Sequence, residues 1–312
     1  MNAEPTTSLD ATRRRIQARL ETLIPEAEPA AMTLAMREAL LAPGKRLRPL
    51  MTAIVAQDLG GDPQAAVDIG CAIEMVHAAS LILDDLPCMD DAELRRGEPA
   101  LHRRHGEDIA VLAAVSLLSD AYGLVAAQAS LDAAARVECV AILSRAVGLR
   151  GLVGGQFQDL REGQRERALS QILETNALKT GSLFRAAVEA GAIVAGAQAA
   201  REPLSDFAQE LGHAFQLLDD LLDKAPDARV SGKNPGQDAG KSTVVALIGR
   251  PPAEKRIERH VAQAHIHLAA VFGPDSRLAG LVDSIVEPFR GTVLNAAPRD
   301  GEARALSPAM ER

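Results

Sequence analysis

Two acidic clusters each follow directly on a long apolar run. The chain reads LILDDLPCMDD from Leu81 to Asp91 and FQLLDDLLD from Phe215 to Asp223. A carboxylate at the carboxyl end of a helix faces the negative end of the helix dipole, so both placements cost stability unless a cation offsets them. Oxygen-only ligands are typical of Mg²⁺ that is shared with substrate phosphates. One cluster alone could be a solvated helix end, but its recurrence indicates a pair of cation sites.

The second cluster can present its carboxylates from an unbroken helix. Asp219 and Asp223 are four residues apart and share one helix face, while Asp220 lies about 100° round the axis from Asp219. We therefore predict that this face holds a hard cation.

The first cluster requires a bend in the chain. On an ideal helix Asp84 and Asp90 would lie roughly 240° apart. Pro87 has no amide hydrogen and clashes with the preceding turn, so it should bend or end the helix. We expect the residues after Pro87 to bring Asp90 back beside Asp84 and Asp85.

Fixed cations should surround the same cavity if Mg²⁺ bridges these carboxylates to phosphates. Arginine binds phosphate oxygens in pairs and lysine supplies a mobile point charge. Any single group could be solvated surface charge, but several occur near the acidic clusters. They are GKRLRP at 44–49, RRG at 95–97, KTG at 179–181, and the two lysines Lys233 and Lys241.

Three further polar residues lie in apolar helical segments. His77 precedes Asp84 by seven residues and therefore points to nearly the same side of the helix, although a hydrogen-bonded core histidine is the alternative. Gln156 and Asp159 could either contact a substrate or brace neighbouring helices as a buried pair.

The composition predicts an all-α fold. Alanine and leucine dominate, aromatic residues are 2%, and there is one tyrosine and no tryptophan, whereas sheets favour β-branched and aromatic residues. The segment 68–85 is apolar on nearly every face, which predicts a helix buried inside a bundle. Further helices are predicted at 9–23, before Pro43, and at 109–131, 137–160, 169–194, 204–222, 253–272 and 277–287, the last stopped by Pro288.

We predict one helical domain over residues 1–295, followed by a poorly structured tail from residue 296 to 312. The segment from Asp223 to Lys241 is rich in proline and glycine and is predicted to be a long loop. No linker divides the chain into halves.

Charge and cysteine content exclude several functional classes. The chain carries 42 acidic and 34 basic residues, a net charge of −8, which argues against nucleic-acid binding. Three cysteines without a CxxC spacing indicate neither a disulfide framework nor a thiolate zinc site. The amino terminus lacks a secretory signal and we see no uncharged run of about twenty apolar residues, so we expect a cytoplasmic protein without a membrane span.

These motifs in this order resemble the trans-polyprenyl diphosphate synthase family, most closely the bacterial geranylgeranyl diphosphate synthases of carotenoid pathways. The resemblance extends from Gly44 to Thr243 and includes GKRLRP, HAASLILDDLPCMDDAELRRG, GGQFQDL, KTG, FQLLDDLLD and GKNPGQDAGKST. It implies a large helical bundle of the isoprenoid synthase type around a central cavity. A homodimer is implied as well.

The resemblance also implies a role for each matching residue. Isopentenyl diphosphate would be held by Lys45, Arg48, His77 and Arg96. Three Mg²⁺ ions per active site would be held by Asp84, Asp85, Asp90, Asp219 and Asp220, with Asp223 nearby. The allylic substrate or its diphosphate would contact Arg95, Lys179, Thr180, Gln216 and Lys233. The catalytic set would be the five metal-binding aspartates with Arg95 and Lys179.

The implied chemistry is ionisation of an allylic diphosphate, attack by the isopentenyl double bond and loss of a proton. Metal ions and cationic side chains would stabilise the charge on the departing diphosphate. Two positions depart from the family pattern without removing a charged motif. His105 lies where phenylalanine or tyrosine is common, and Ser116 where aspartate is often found.

The residues one helical turn before Asp84 are expected to influence product length. Ala79 and Ser80 are small, which leaves room for a C20 product, whereas an aromatic side chain there would stop growth at C15. Ordinary helix packing is the alternative explanation for Ala79. Replacing Ala79 with tyrosine should then shorten the product.

Other functions remain open at this stage. A C15 farnesyl diphosphate synthase is the nearest alternative, and a class I terpene cyclase is a more distant one because the second acidic cluster and GKRLRP argue against it. A catalytically silent partner subunit that uses the scaffold only for association is disfavoured by two intact acidic motifs. The preferred primer and the pathway are not determined by the sequence.

Overall fold

The computed structural model describes residues 5–163, 165–223 and 242–289. This part of the chain is almost entirely helical, which confirms the all-α prediction. The helices are α1 Pro5–Leu23, α2 Ala30–Leu41, α3 Leu47–Asp58, α4 Pro63–Asp84, α5 Leu101–His105, α6 Glu107–Ala126, α7 Ala133–Val147, α8 Leu152–Glu162, α9 Leu169–Asn176, α10 Ser182–Val194, α11 Arg201–Asp223, α12 Val244–Ile248, α13 Arg250–Phe272 and α14 Arg277–Phe289. A π-helix, Ala177–Gly181, joins α9 to α10, and a 3₁₀ turn, Gln198–Ala200, precedes α11.

The α4 helix is the centre of the bundle. It begins with Pro63 in the first turn, and the side chain of Asp62 accepts a hydrogen bond from the Ala65 amide at 2.6 Å. Because its residues are apolar on nearly every face, α4 packs against α3, α6 and α10 at once. The predicted buried helix is therefore confirmed.

Two strands of two residues each follow the first acidic cluster. Leu94–Arg95 pairs antiparallel with Glu98–Pro99, and the two linking residues, Arg96 at φ 54° and Gly97 at φ 85°, are both left-handed. This is the backbone of a tight hairpin turn whose twist matches the strands. The hairpin places the two consecutive arginines in fixed positions beside the end of α4.

Several predicted boundaries differ from the structure. The segment 137–160 is broken into α7 and α8, and α6 ends five residues before the predicted Leu131. The break falls at the glycine-flanked turn 148–151, where a Cβ on Gly151 would lie 2.1 Å from the carbonyl oxygen of Ala146. Pro288 does not end α14, which continues to Phe289, a difference within the usual uncertainty of helix ends.

Among the described residues, two helices, α4 and α6, are long and apolar enough to cross a membrane by length and composition alone. The most apolar window of α4 is 78% buried in the bundle, as in the core helix of a soluble fold. The corresponding window of α6 is only 33% buried, because Val111, Leu112 and Val115 lie on its exposed face. Both helices contain charged side chains, Asp68 and Glu74 in α4 and Asp120 in α6, so neither is the uncharged apolar run whose absence the sequence analysis noted.

The predicted loop from Asp223 to Lys241 and the tail from residue 296 lie outside the described residues. Lys233 and Lys241 fall in this part of the chain, so their predicted contacts with substrate are not addressed by the structure. Within the described residues, one cluster of buried apolar side chains extends from α1 to α14.

Candidate active site

A cavity of about 630 Å³ lies where α4, α8, the π-helix and α11 meet. Both acidic clusters line it, through Asp84 and Asp90 on one side and Asp219 and Asp220 on the other. The remaining wall is largely apolar and includes Phe215. The tertiary structure therefore brings together the two clusters that are far apart in the sequence.

The chain doubles back after α4, as the sequence predicts. The helix ends at Asp84, and Pro87 lies in the turn that follows it. The amide of Asp90 donates to the carbonyl of Asp84 at 2.9 Å, and the amide of Ala92 donates to the carbonyl of Asp85 at 3.2 Å. These bonds hold Asp90 beside the end of the helix and confirm the predicted bend at Pro87.

Asp85 does not join the other aspartates in the cavity. Its carboxylate accepts from Arg95 Nε at 3.0 Å and also from Arg95 Nη2, and its side chain is 4% exposed. Successive helical residues point about 100° apart, so Asp85 faces the hairpin while Asp84 faces the cavity. The prediction that Asp85 holds Mg²⁺ together with Asp84 and Asp90 stays a prediction, and in this structure its carboxylate is engaged by Arg95.

Asp84 lies in an electrostatic environment that disfavours its charge. Burial and the neighbouring Asp90 and Asp85 raise the pKa of Asp84 to about 6, although Lys179 and Arg95 act in the opposite direction. Burial lowers the pKa of the Lys179 ammonium. The carboxylates of Asp159, Asp84 and Asp90 raise it by more, so this pKa lies above its ordinary value. A divalent cation would relieve the repulsion at Asp84.

The second cluster is organised by hydrogen bonds between neutral and charged groups. Thr180 Oγ1 donates to Gln216 Oε1 at 2.9 Å, and Gln216 Nε2 donates to Asp220 Oδ1 at 2.9 Å. This chain links the π-helix to α11 and fixes the orientation of one carboxylate. The side chain of Asp223, which was predicted to lie near the metal, is outside the described residues.

The π-helix places Lys179 and Thr180 in the cavity wall. Lys179 Nζ donates to Asp159 Oδ2 at 2.7 Å. A Cβ on Gly155 would lie 2.5 Å from the Lys179 backbone nitrogen, so only glycine allows α8 to pack this closely on the π-helix. Insertions of this kind in a helix often occur at functional sites.

The two possible roles of the polar pair in α8 are now separated. Asp159 braces α8 against the π-helix through Lys179, as one alternative supposed. Both residues line the cavity, but Gln156 has no such ion pair: both polar atoms of its amide are buried without a hydrogen-bond partner among the described residues. A buried amide of this kind costs stability unless a ligand or water satisfies it.

Arg48 and His77 form the cationic end of the same cavity. The Arg48 guanidinium lies over the Phe184 ring, 4.7 Å from its centroid, and its buried Nε has no hydrogen-bond partner among the described residues. Burial lowers the pKa of Arg48 to about 10, against the raising effect of Glu74. Burial and four surrounding arginines hold the pKa of His77 well below its ordinary value, so its imidazole is neutral.

A second cavity of about 380 Å³ adjoins the first along α4. Arg95 and His77 line both cavities, whereas Arg96 lines only the second. Of the residues predicted to hold isopentenyl diphosphate, Lys45 lines neither. It precedes Arg46, whose side chain turns inward.

The two predicted chain-length residues are placed differently. Ser80 lines the main cavity, whereas Ala79 is fully buried in the packed core and lines neither cavity. His105 on α5 contacts Glu38 on α2, with Nε2 and Oε2 2.6 Å apart, and so connects the two helices. Ser116 is half-buried on α6.

Sequence reasoning gave no role to Glu74 or Arg46, which form a buried ion pair next to these cations. A lone glutamate within the apolar α4 segment was the signal that could have identified the pair, because an unpaired buried carboxylate is rare. Arg46 lies within the GKRLRP motif, but the family resemblance implies contact with isopentenyl diphosphate only for its neighbours Lys45 and Arg48.

The donor set fits Mg²⁺ shared with a diphosphate. Carboxylate oxygens line the cavity on two sides, and a cation bound there would offset the burial that raises the pKa of Asp84. In the described part of the chain, no group of three or more His, Cys, Asp or Glu side chains is close enough to hold a metal ion unaided.

The sequence matches known enzymes over most of its length. The family model described as "Polyprenyl synthetase" matches residues 30–269. A geranylgeranyl diphosphate synthase of Pantoea ananas is 50% identical over 82% of this chain and 85% of the relative. A second one, of Pseudescherichia vulneris, is 46% identical over 85% of this chain and 86% of the relative.

Solved structures share the architecture. An FPP/GFPP synthase of Zymomonas mobilis superposes with a TM-score of 0.81 at 33% identity, covering 90% of this chain and 98% of the other. A geranyltransferase of Helicobacter pylori, solved with magnesium and isoprenyl diphosphate, has a TM-score of 0.84 at 28% identity, with coverage of 92% and 99%.

Proposed function

The chain belongs to the polyprenyl synthetase family, and from that premise we propose that it condenses isopentenyl diphosphate with an allylic diphosphate to form geranylgeranyl diphosphate. It is a prenyltransferase with the isoprenoid synthase fold. The observation that carries the proposal is the pair of aspartate clusters facing one largely apolar cavity that ends in Arg48 and His77.

The acidic side of the cavity would hold the allylic diphosphate. Asp84 and Asp90 on one wall and Asp219 and Asp220 on the other are the residues that would bind Mg²⁺. When bound, Mg²⁺ acts as a Lewis acid that stabilises negative charge on the leaving diphosphate. The family uses Mg²⁺, and we infer three ions per site.

Fixed cations complete the binding of the leaving group. Lys179 and Arg95 line the cavity next to the first cluster and remain charged, because the carboxylates around them raise the pKa of each. Asp85 keeps Arg95 in place through its ion pair. We infer that Asp85 acts through Arg95 rather than as a metal ligand.

Isopentenyl diphosphate would bind at the cationic end. The Nε of Arg48, which has no partner among the described residues, and the neutral imidazole of His77 can each donate a hydrogen bond to a phosphate oxygen. Arg96 lines the adjoining cavity with His77, and Lys45 precedes Arg48 by three residues. The C–O bond of the allylic diphosphate breaks and a C–C bond forms to the isopentenyl double bond. The proton then lost from the new chain passes to the released diphosphate.

Apolar side chains must protect the cationic intermediate from water. Leu81, Leu183 and Phe215 form part of the wall between the two diphosphate sites. Thr180 and Gln216 line the same cavity, and their hydrogen bond fixes the position of two polar oxygens in its wall. We infer that these oxygens position the reacting carbons.

Product length is assigned to the wall of α4 next to Asp84. Ser80 lines the cavity, so we expect Ser80→Phe to shift the main product from C20 toward C15 because the ring would occupy the space of the last isoprene unit. Ala79→Tyr, suggested by the sequence, would first have to displace packed core atoms. Matched Ser80→Ala should leave the product at C20.

The direct test is incubation of purified protein with Mg²⁺, isopentenyl diphosphate and each allylic diphosphate, followed by extraction and sizing of the product. A C20 chain supports the proposal, and a C15 chain would reassign the enzyme as a farnesyl diphosphate synthase. Hydrocarbon or alcohol formed without isopentenyl diphosphate would indicate a cyclase. No turnover at all would indicate a silent partner subunit.

We also infer a homodimer formed through α6. Its exposed face carries Val111, Leu112 and Val115, which are 39%, 53% and 56% exposed. A contiguous apolar helix face in contact with water favours association. A Leu112→Glu variant should elute as a smaller species in light-scattering chromatography; a monomeric wild type would contradict the inference.

A further inference from the structure

Two guanidinium groups meet at one carbonyl oxygen beside the second cavity. Arg46 Nη2 and Arg96 Nη1 each donate to the carbonyl of Ala42 at 2.9 Å. An added Cβ on Gly44 would lie 2.9 Å from Arg96 Nη1, so a side chain at this position would displace the Arg96 guanidinium. Two like charges at this distance repel each other unless a negative charge lies close by.

Glu74 provides the negative charge at this point. Its Oε1 accepts from Arg46 Nη1 at 3.0 Å, and the two side chains are 5% and 4% exposed. The influence of Glu74 extends beyond this pair, since burial lowers the pKa of both Arg48 and Arg96 and the Glu74 carboxylate raises it. Glu74 also lies one helical turn before His77 on α4.

The same ion pair holds an unusual backbone conformation. Arg46 is left-handed, with φ 51° and ψ 39°, which is uncommon for a residue with a side chain. Its bonds to Glu74 and to the Ala42 carbonyl, with a longer one to Gln17 Oε1 at 3.3 Å, compensate for this strain. The direction in which Lys45 leaves the turn therefore depends on the Arg46–Glu74 pair.

We propose that Glu74 is a positioning residue for isopentenyl diphosphate: its ion pair with Arg46 fixes the turn that carries Lys45, and its charge allows Arg46, Arg48 and Arg96 to lie together before the diphosphate binds. The inference rests on the proposed function, because it concerns the diphosphate receptor of that reaction. Glu74 itself does not contact the substrate.

The test compares the two substrates in a Glu74→Gln variant. The dissociation constant of isopentenyl diphosphate, measured by calorimetry, and its KM should both rise by about tenfold or more, because the receptor loses its charge balance and its turn. The KM of the allylic diphosphate, which binds at the aspartate clusters, should stay within about twofold.

Glu189→Gln is the matched control. Glu189 is a buried glutamate on α10 whose Oε1 accepts from Arg185 Nε at 2.6 Å, and it lines neither cavity. Its side chain is 9% exposed, close to that of Glu74. This variant should lower the melting temperature but should not raise the KM of isopentenyl diphosphate relative to that of the allylic diphosphate.

Two further variants keep the test informative if Glu74→Gln folds poorly. Glu74→Asp keeps the charge but shortens the side chain and should give an intermediate dissociation constant. The double variant Arg46→Gln/Glu74→Gln replaces the ion pair with two amides that can bond to each other and should recover part of the loss. A dissociation constant within about twofold of wild type in all three variants would overturn the proposal.

Failure of the Glu74 proposal can be distinguished from failure of the proposed function. Calorimetry needs no turnover, so an unchanged dissociation constant in an active enzyme refutes only the role of Glu74. A wild-type protein that binds isopentenyl diphosphate but forms no elongated product refutes only the proposed reaction. A wild-type protein that does not bind isopentenyl diphosphate refutes both.

Discussion

The two acidic clusters are nearly alike in sequence but differ in how the structure stabilises them. At the end of α4 the chain breaks, and its aspartates are distributed among separate partners: Asp85 binds Arg95, Asp91 binds Arg103, and Asp84 remains in the cavity. At the end of α11 the helix continues without a break, and Asp220 is held by a neutral amide, Gln216.

This difference shows that a repeated motif can supply two kinds of site. The first cluster is built with its own cations, Arg95 and Lys179, so it resembles a receptor for a substrate anion that shares metal ions with the protein. The second has a hydrogen-bonded helix face, which suits a metal ligand whose position must not change. The predictions below test whether the aspartates differ as their partners suggest.

The largest effect is expected from the aspartates that face the cavity. Asp84→Asn and Asp219→Asn should each lower kcat by about 10³-fold, since each removes a ligand that stabilises charge on the leaving diphosphate. Steady-state assays with saturating Mg²⁺ measure this loss.

Asp91→Asn is the matched control within the first cluster. Asp91 is exposed and pairs with Arg103 at 2.9 Å on the surface, so its loss should change kcat by less than about twofold. If Asp84→Asn retained more than a tenth of wild-type activity, the assignment of the cavity aspartates would be wrong.

A smaller effect is expected from Asp85→Asn. Activity should fall by about 30-fold through misplacement of Arg95, and the free energy of unfolding should fall by about 2 kcal/mol because a partly buried guanidinium loses its partner. Urea unfolding and kinetics measure the two quantities.

The double variant Asp85→Asn/Arg95→Met separates the loss of activity from the loss of stability. It removes both charges, so stability should return toward wild type while activity stays low. Recovery of activity together with stability would show that Arg95 does not contact the leaving group.

The smallest effect has the opposite sign. In metal-free buffer at pH 7.5, Asp84→Asn should raise the free energy of unfolding by about 1 kcal/mol, because the folded pKa of Asp84 is about 6 and thus above its unfolded value. The folded state therefore binds a proton on Asp84 more readily than the unfolded state does. Above pH 6 the charged Asp84 carboxylate lowers the free energy of unfolding, and this loss is relieved as the pH falls through 6. The gain of Asp84→Asn over wild type should shrink in the same range.

Urea unfolding of both proteins in EDTA from pH 7.5 to 5 measures this gain. A gain that is independent of pH would mean that Asp84 is not the titrating group. Stabilisation by Asp84→Asn and destabilisation by Asp85→Asn, one residue apart, would be the clearest sign of their different partners.

Much of the candidate site could be predicted from the sequence because its residues lie at helix ends marked by apolar runs. Pro87 identified the bend, and the unbroken apolar repeat of α11 predicted that its aspartates are presented from the end of one helix. The break between α7 and α8 was missed, since its glycines lie within an apolar pattern that continues on both sides. The π-helix was missed as well, because a local change of hydrogen-bond register leaves no clear trace in residue types.

The sequence by itself determined the apolar helical segments, where the chain must turn after α4 and which charges need partners, because these follow from local sterics and from the helical repeat. Only the tertiary structure decided the partner of each charge: Asp84 faces the cavity, Asp85 binds Arg95, and Glu74 binds Arg46. Such pairings join residues from different elements, and a difference of about 100° around one helix is enough to change them. Long-range packing sets that orientation, so it cannot be obtained from the order of residues along the chain.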